Sequence, residues 1–398
     1  MFGLYQMAFG GFTWGSILML LIGGGLIYLG IAKKMEPVLL IPIGMGIIMV
    51  NIPMSGLMIY APPTEAGAVA MPAMVEGGIG ALGEAMGSGK IGLLNVMYQF
   101  GIANELIPLL IFLGVGAMSD FSPAMARPLS FMFGATAQSG VFVIFLIAYL
   151  TGLFTINQAA CVGIIGGSDG PPTVYLAAAL APELLGPITL VAYSYMALVP
   201  ILQPPVIRAL IPKKQRQIYM KPQTREVSTL EKIIFPIAVF VVVAMFVPKA
   251  APLIGMLMFG NLLYVTGVTD RLAASAGGVF IDVLTFILGL TVGALMPAVV
   301  FLNVKTLAII GLAVVAFAIG TAGGIWGAQI ANLFLKEKIN PIIGAAGVSA
   351  VPMAARVAQK EGQRANPRNF LLMHALGPNM AGAVATSVVA GIFLGILL

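Results

Sequence analysis

Asp169 lies in Gly166-Gly167-Ser168-Asp169-Gly170-Pro171-Pro172-Thr173, a run that interrupts a long apolar stretch. So much Gly and Pro cannot continue a helix, so the acid is predicted at a backbone break near mid-membrane depth. A carboxylate there costs at least ~2.5 kcal/mol unless something cationic meets it. The plainer role is an Asx-turn or N-cap for a helix beginning at Pro171, and the two roles are compatible. No Lys or Arg lies in either broken segment before Arg356, which favours Na+ or a proton as counter-charge. Na+ takes oxygen ligands: broken helices offer carbonyls, and Ser168, Thr173, Asn340 and Ser349 add side-chain oxygens. Taken singly, each is an ordinary cap.

Tyr193-Ser194-Tyr195, followed by Pro200 and Gln203-Pro204-Pro205, makes an unusually polar membrane helix. The Tyr hydroxyls of this run are read either as partners or proton donors for Asp169, or as interfacial anchors, although Tyr195 lies well inside the span. Arg356, Lys360, Arg364 and Arg368 recur every four residues and so share a helical face. A positive-inside anchor is the default there, and a guanidinium fork in which Arg356 clamps a carboxylate is the sharper alternative. Glu105 and Asp282 open apolar helices and read as caps. One cysteine, Cys161, and one histidine, His374, build neither a disulfide nor a Cys/His metal site; both read as packed residues, with a proton relay the other role for His374.

These residues need membrane helices to position them. Of the 398 residues, 60% are hydrophobic and 9% charged, far from the ~45–50% and ~25% of soluble domains. That excludes soluble enzymes, disulfide scaffolds and nucleic-acid readers; the lack of alternation excludes a transmembrane barrel. No basic region precedes the first apolar run, so that run is expected to remain as a helix. Ten spans are predicted, near 17–32, 37–54, 105–118, 129–154, 187–207, 233–248, 251–266, 279–299, 304–335 and 371–397, with 157–182 and 340–355 as re-entrant or broken-helix hairpins. With the Lys33–Lys34 turn in the cytoplasm, all basic residues except Lys90, Lys249 and Lys305 fall inside, as the positive-inside rule requires. A full crossing by either broken segment would largely destroy that asymmetry. The net charge of +6 is therefore read as topology, not as a nucleic-acid partner. The 55–100 stretch, with Glu65, Glu76, Glu84 and Lys90, is expected as an outside, interfacial excursion. The basic loop 208–232 is either a solvated linker or a docking surface for a cytosolic partner.

The sequence also repeats. Glu105 and Val115-Gly116-Ala117 match Asp282 and Val292-Gly293-Ala294, both 177 positions on; Gly163 and the Gly-x-Ser-x-x-Pro tip at 166–171 match Gly344 and the tip at 347–352, 181 positions on. Five spans and one hairpin per half force the second copy to enter the membrane upside down. The expected fold is thus an all-α polytopic membrane protein of two inverted repeats, its hairpins meeting near the midplane to form an ion site. The expected division is 1–100 for N-terminal spans and interfacial segment, 101–211 for the first repeat core, 212–278 for basic linker and scaffold spans, and 279–398 for the second core. To this point a Na+-coupled organic-anion symporter or Na+/H+ exchanger fits as well as any enzyme.

The segments GGSDGPPTVYLAA, VAYSYMALVPILQPPVIRALIP, INPIIGAAGVSAVPMAARVAQ and NFLLMHALGPNMAG resemble the membrane β subunit of the sodium-pumping biotin-dependent decarboxylases, which act on oxaloacetate, methylmalonyl-CoA, glutaconyl-CoA or malonate. The resemblance runs from about residue 90 to the C-terminus. It implies a carboxybiotin decarboxylase that exports Na+, with carboxybiotin as a cosubstrate delivered by a partner. By the same resemblance Asp169, Tyr195, Asn340, Gly344, Ser349 and Arg356 fall on functional positions. The acid, Asn and Ser, with Ser168 beside them, would form the sodium path; Tyr195 would handle cation or proton; Arg356 would receive carboxybiotin; Gly344 would allow close helix approach. Also implied are a carboxyltransferase and biotin-carrier α-type subunit, a small membrane γ-type subunit, a homo-oligomer, and residence in a bacterial or archaeal cytoplasmic membrane.

Overall fold

The computed structural model describes residues 12–61, 71–76, 79–222 and 225–398, with side chains for all of these except Ile79 and residues 195–197. Glu65 therefore lies outside the described residues. Among them the backbone is helical, with a single antiparallel bridge, Tyr60 to Pro72. Each predicted span lies on helix: α1 (Trp14–Ala32), α2 (Pro37–Asn51), α3 (Leu106–Ala117), α4 (Leu129–Leu150), α7 (Leu185–Leu210), α8 (Thr229–Phe246), α9 (Ala251–Val265), α10 (Asp270–Ala294), α11 (Val304–Phe334) and α14 (Leu372–Leu397). Between them come α5 (Ile156–Ile164) and α6 (Gly170–Leu180), then α12 (Ile342–Ala345) and α13 (Met353–Ala365). Small polar residues start several helices: Thr13 accepts from Ser16 N, Ser228 from Glu231 N and Asn303 from Thr306 N, each satisfying an otherwise orphaned N–H.

By length and composition six described helices can cross a bilayer alone, or eight if each bent pair counts as one span. The 15 residues of α2 reach only ~22 Å, against a hydrocarbon core of ~30 Å. One bend of 59° separates Leu93–Ile102 from α3, at Glu105, whose φ of 63° breaks the helix. The other, 63°, separates Pro182–Ser194 from Leu198–Leu210 within α7, where Pro200 removes a helical hydrogen bond.

Helices divide by burial into rim and centre. Only 6% of the α8 span is buried, against 67% of the α14 span, so α8 presents apolar side chains to lipid while α14 runs through the interior. Two rim-to-core contacts have the same chemistry. Asn51 of α2 donates to Met296 O just beyond α10 (3.0 Å), and Asn261 of α9 donates to Ser119 O just beyond α3 (2.7 Å).

Both broken segments reverse direction. Cys161 Sγ on α5 lies 3.6 Å from Leu176 O on α6, so these helices run side by side rather than end to end. Their base is tied by Gln158 Nε2 to Glu183 (2.8 Å), with Lys305 Nζ on Gln158 Oε1 (3.1 Å). In the second hairpin, Asn340 before α12 and Asn369 after α13 both donate to Ile218 O, so that hairpin also returns to the end it left, on the basic linker. The α13 helix is pinned to α7 by a bidentate pair, Arg208 Nε and Nη2 on Glu361 at 2.8 and 2.6 Å.

Candidate functional site

The two hairpin tips touch. Ser349 N donates to Gly167 O (3.0 Å), and Ser349 Oγ donates to Asp169 Oδ2 (2.7 Å). Glycine permits part of this approach: a Cβ on Gly344 would strike the carbonyl oxygen of Gly324 on α11, so a side chain there would push the second hairpin off its support.

Asp169 stands at the N-cap position of α6 but makes no capping bond. Its carboxylate faces the opposite tip instead, 6% exposed, while Ser349 is 4% exposed. Thr173 Oγ1 donates to the backbone oxygen of Asp169 (2.6 Å). Ser168, held at φ 59°, has a buried hydroxyl with no hydrogen-bond partner among the described residues, and so does Tyr193. The Tyr193 ring packs on Gly170: a methyl added there would sit 2.8 Å from the tyrosine oxygen. That places the phenol beside Asp169, within reach of its charge. A buried carboxylate with one donor, beside two hydroxyls that have none, is a polar pocket short of positive charge.

Other sequence-predicted residues lie elsewhere. Asn340 is not at the tip: its amide donates to Arg216 O and Ile218 O at 2.7 and 3.0 Å, and its oxygen accepts from Ile342 N. It fastens the hairpin base to the linker. Tyr195 lies on α7, but its side chain is outside the described residues. Arg356 is exposed on α13, whose opposite face buries Glu361. The four-residue basic stripe is cut short, since α13 ends at Ala365 before Arg368. Glu105 occupies an N-cap position without a capping bond and lies instead against the Tyr175 hydroxyl. Asp282 does not open a helix: it lies midway along α10, just past a kink at Gly278 (φ −117°, ψ −112°). Cys161 is packed, and His374 is buried near the linker, not at the crossing.

Of the two tyrosines the sequence offered as partners for Asp169, the structure places Tyr193 beside it, and sequence reasoning passed over three further residues, Gln138, Thr386 and Asn379. Tyr193 lies about 200° around the helix from Tyr195, so only one of the two can point at the first tip. Thr386 Oγ1 contacts Gln138 Oε1 (3.3 Å) beside Gly167. Asn379 donates to Ala346 O and Val348 O at 3.1 and 2.7 Å, holding the second tip. The signal for Asn379 was the polar Asn inside Gly377-Pro378-Asn379; isolated Gln138 and Thr386 gave none.

Among the described residues no three His, Cys, Asp or Glu side chains gather as a metal cluster. One carboxylate and two unpartnered hydroxyls form a hard-oxygen set of low charge, suited to a monovalent cation rather than to zinc. A family profile described as "Na+-transporting oxaloacetate decarboxylase beta subunit" matches residues 15–397. Similar proteins include the methylmalonyl-CoA decarboxylase subunit beta of Propionigenium modestum, 49% identical over 98% of this chain and 97% of the relative. The oxaloacetate decarboxylase beta chain of Klebsiella pneumoniae is 46% identical over 96% and 94%. The methylmalonyl-CoA decarboxylase subunit beta of Veillonella parvula is 46% identical over 97% and 94%.

Proposed function

Because this chain belongs to the family of Na+-transporting oxaloacetate decarboxylase beta subunits, we propose that it decarboxylates carboxybiotin and uses the free energy released to drive Na+ outward through the hairpin crossing. The observation that carries the site assignment is the buried Asp169 carboxylate, whose hydrogen bond comes from a hydroxyl of the opposite hairpin. Na+ binding there would supply the missing charge, with Asp169, Ser349, Ser168 and the Tyr193 hydroxyl as ligands. A cation shared by both tips binds differently when the hairpins shift, and a difference in affinity between two states is what coupling requires.

Arg356 is assigned to the carboxylate of carboxybiotin. It lies on the exposed face of the second hairpin, and among the described residues it makes no ion pair. Loss of CO2 from the ureido N-carboxylate leaves a nitrogen anion that takes up one proton, so an acid near that nitrogen promotes the step; Tyr195 is assigned to relay it. Asn340 acts at one remove, by setting where the second hairpin leaves the linker. The two halves are proposed to be inverted repeats. In support, Ser119 and Met296, whose carbonyls take the paired asparagines, are 177 positions apart, the spacing of the Glu105/Asp282 match.

The proposed setting is the bacterial cytoplasmic membrane, as a homo-oligomer with a γ-type subunit and an α-type carboxyltransferase and biotin carrier. That carrier would dock on the basic face, and the α-type subunit would select the carboxylic acid. The purified chain, given carboxybiotin, is expected to release CO2 at a rate that rises with Na+ and not with K+. Release indifferent to Na+, or no release, overturns the proposal and returns the chain to the simple carriers.

A further inference from the structure

A cavity of about 510 Å3 opens at the basic end of the molecule, between the linker, the turn before α4 and the start of α14. It is separate from the hairpin crossing, and Arg356 is not in its wall. Three cations line it, Arg225, Lys232 and Arg368, with Glu226 as the acid among the lining residues. Arg225 is already engaged, donating to Met125 O and to Glu231 at 3.0 Å each. Lys232 and Arg368 have no ion-pair partner among the described residues.

Buried groups point the same way. His374 lines the cavity at 4% exposure, and its Nδ1 has no hydrogen-bond partner among the described residues; its interaction with the Lys221 backbone does not satisfy that nitrogen. The Ser122 hydroxyl, also in the wall, is buried without a partner. Such groups are satisfied when a polar ligand fills the space. The surroundings of the cavity are apolar and open. Phe370 and Met373 in its wall are 67% and 54% exposed, and Leu230, Ile234 and Ile237 run from it along α8 with half or more of their surface bare.

We propose that this cavity holds the headgroup of an anionic phospholipid of the cytoplasmic leaflet, with its phosphate on Lys232 and Arg368 and its acyl chains along α8. Two cations without ion-pair partners beside the first turn of an exposed apolar helix, with unsatisfied polar groups behind them, match the two ends of one amphiphile. An acidic protein segment would match the cations but leave the α8 face bare. Inorganic phosphate shares the headgroup chemistry, and the test separates it.

The test is native mass spectrometry of the full chain released from phosphatidylcholine nanodiscs doped with phosphatidylglycerol. Wild type is expected to retain one phosphatidylglycerol selectively, and Lys232→Ala with Arg368→Ala to retain it about 25-fold less, at about five-fold per charge. Lys33→Ala, at a basic residue outside the cavity, is expected to retain it as wild type does. Both substituted side chains in the test pair are unpaired, so folding should be kept; an unchanged gel-filtration profile checks this. Equal retention of the neutral and anionic lipids, equal loss in Lys33→Ala, or displacement of the lipid by millimolar inorganic phosphate would each overturn the proposal.

Discussion

Tyr193→Phe removes one oxygen from a pocket where that oxygen has no described partner, so its effects with and without sodium should differ in sign. Without Na+, a buried hydroxyl that makes no hydrogen bond costs ~1–3 kcal/mol of desolvation, and deleting it should leave stability unchanged or raised. With Na+, the same oxygen is a ligand. Losing an interaction with a charged group costs ~1.5–3 kcal/mol, or about 10- to 150-fold in affinity. The assay is thermal unfolding of the detergent-solubilised protein against Na+, with K+ holding ionic strength constant. At 100 times the wild-type Kd, bound Na+ contributes ~2.7 kcal/mol; a tenfold weaker site leaves ~1.4 kcal/mol at the same concentration. An Na+ titration of Tyr193→Phe superimposable on wild type would refute the ligand assignment. A variant destabilised equally with and without Na+ would show that the ring was merely packing.

Gly344→Ala places a methyl against the Gly324 carbonyl, and overpacking of that kind costs ~1–3 kcal/mol; a lowered unfolding temperature at every Na+ concentration is expected. Glu361 is held below the usual carboxylate range chiefly by its hydrogen bonds from Arg208. A lowered folded pKa gives stability that is present above the unfolded value near 4.3 and lost as pH falls through the folded value. Glu361→Gln should therefore flatten the acid limb of an unfolding-temperature profile between about pH 5 and 3, relative to wild type. Asn51→Leu and Asn261→Leu should each lower stability by ~1–3 kcal/mol, measured in the same unfolding assay; a loss at one site only would count against equivalent roles for the two halves.

The membrane class and the two interruptions were readable in the sequence because they rest on long apolar runs and on dense Gly and Pro, signals carried by adjacent residues. Asp169 and Ser349 were readable as members of two similar tips, although their 2.7 Å contact joins residues 180 positions apart. Asn340 looked equivalent to them by residue type, yet it serves the hairpin base, since an amide near a break can satisfy backbone groups on either side. Tyr193 and Tyr195 share one tripeptide, and composition alone does not fix which helical face turns inward. Helix length was less legible than helix position: α2 is apolar along most of its 15 residues, but apolarity does not set length. The unpaired His374 nitrogen depends on a linker that returns from far along the chain, and no local pattern encodes such a neighbour.

The most direct measurement is 22Na+ uptake into proteoliposomes containing the complete complex, driven by decarboxylation, for wild type and Asp169→Asn. If the Asp169 carboxylate carries the ion between the hairpin tips, the variant assembles and unfolds at a temperature near wild type, yet uptake and Na+-stimulated CO2 release both vanish. Uptake by Asp169→Asn at the wild-type rate would contradict the account.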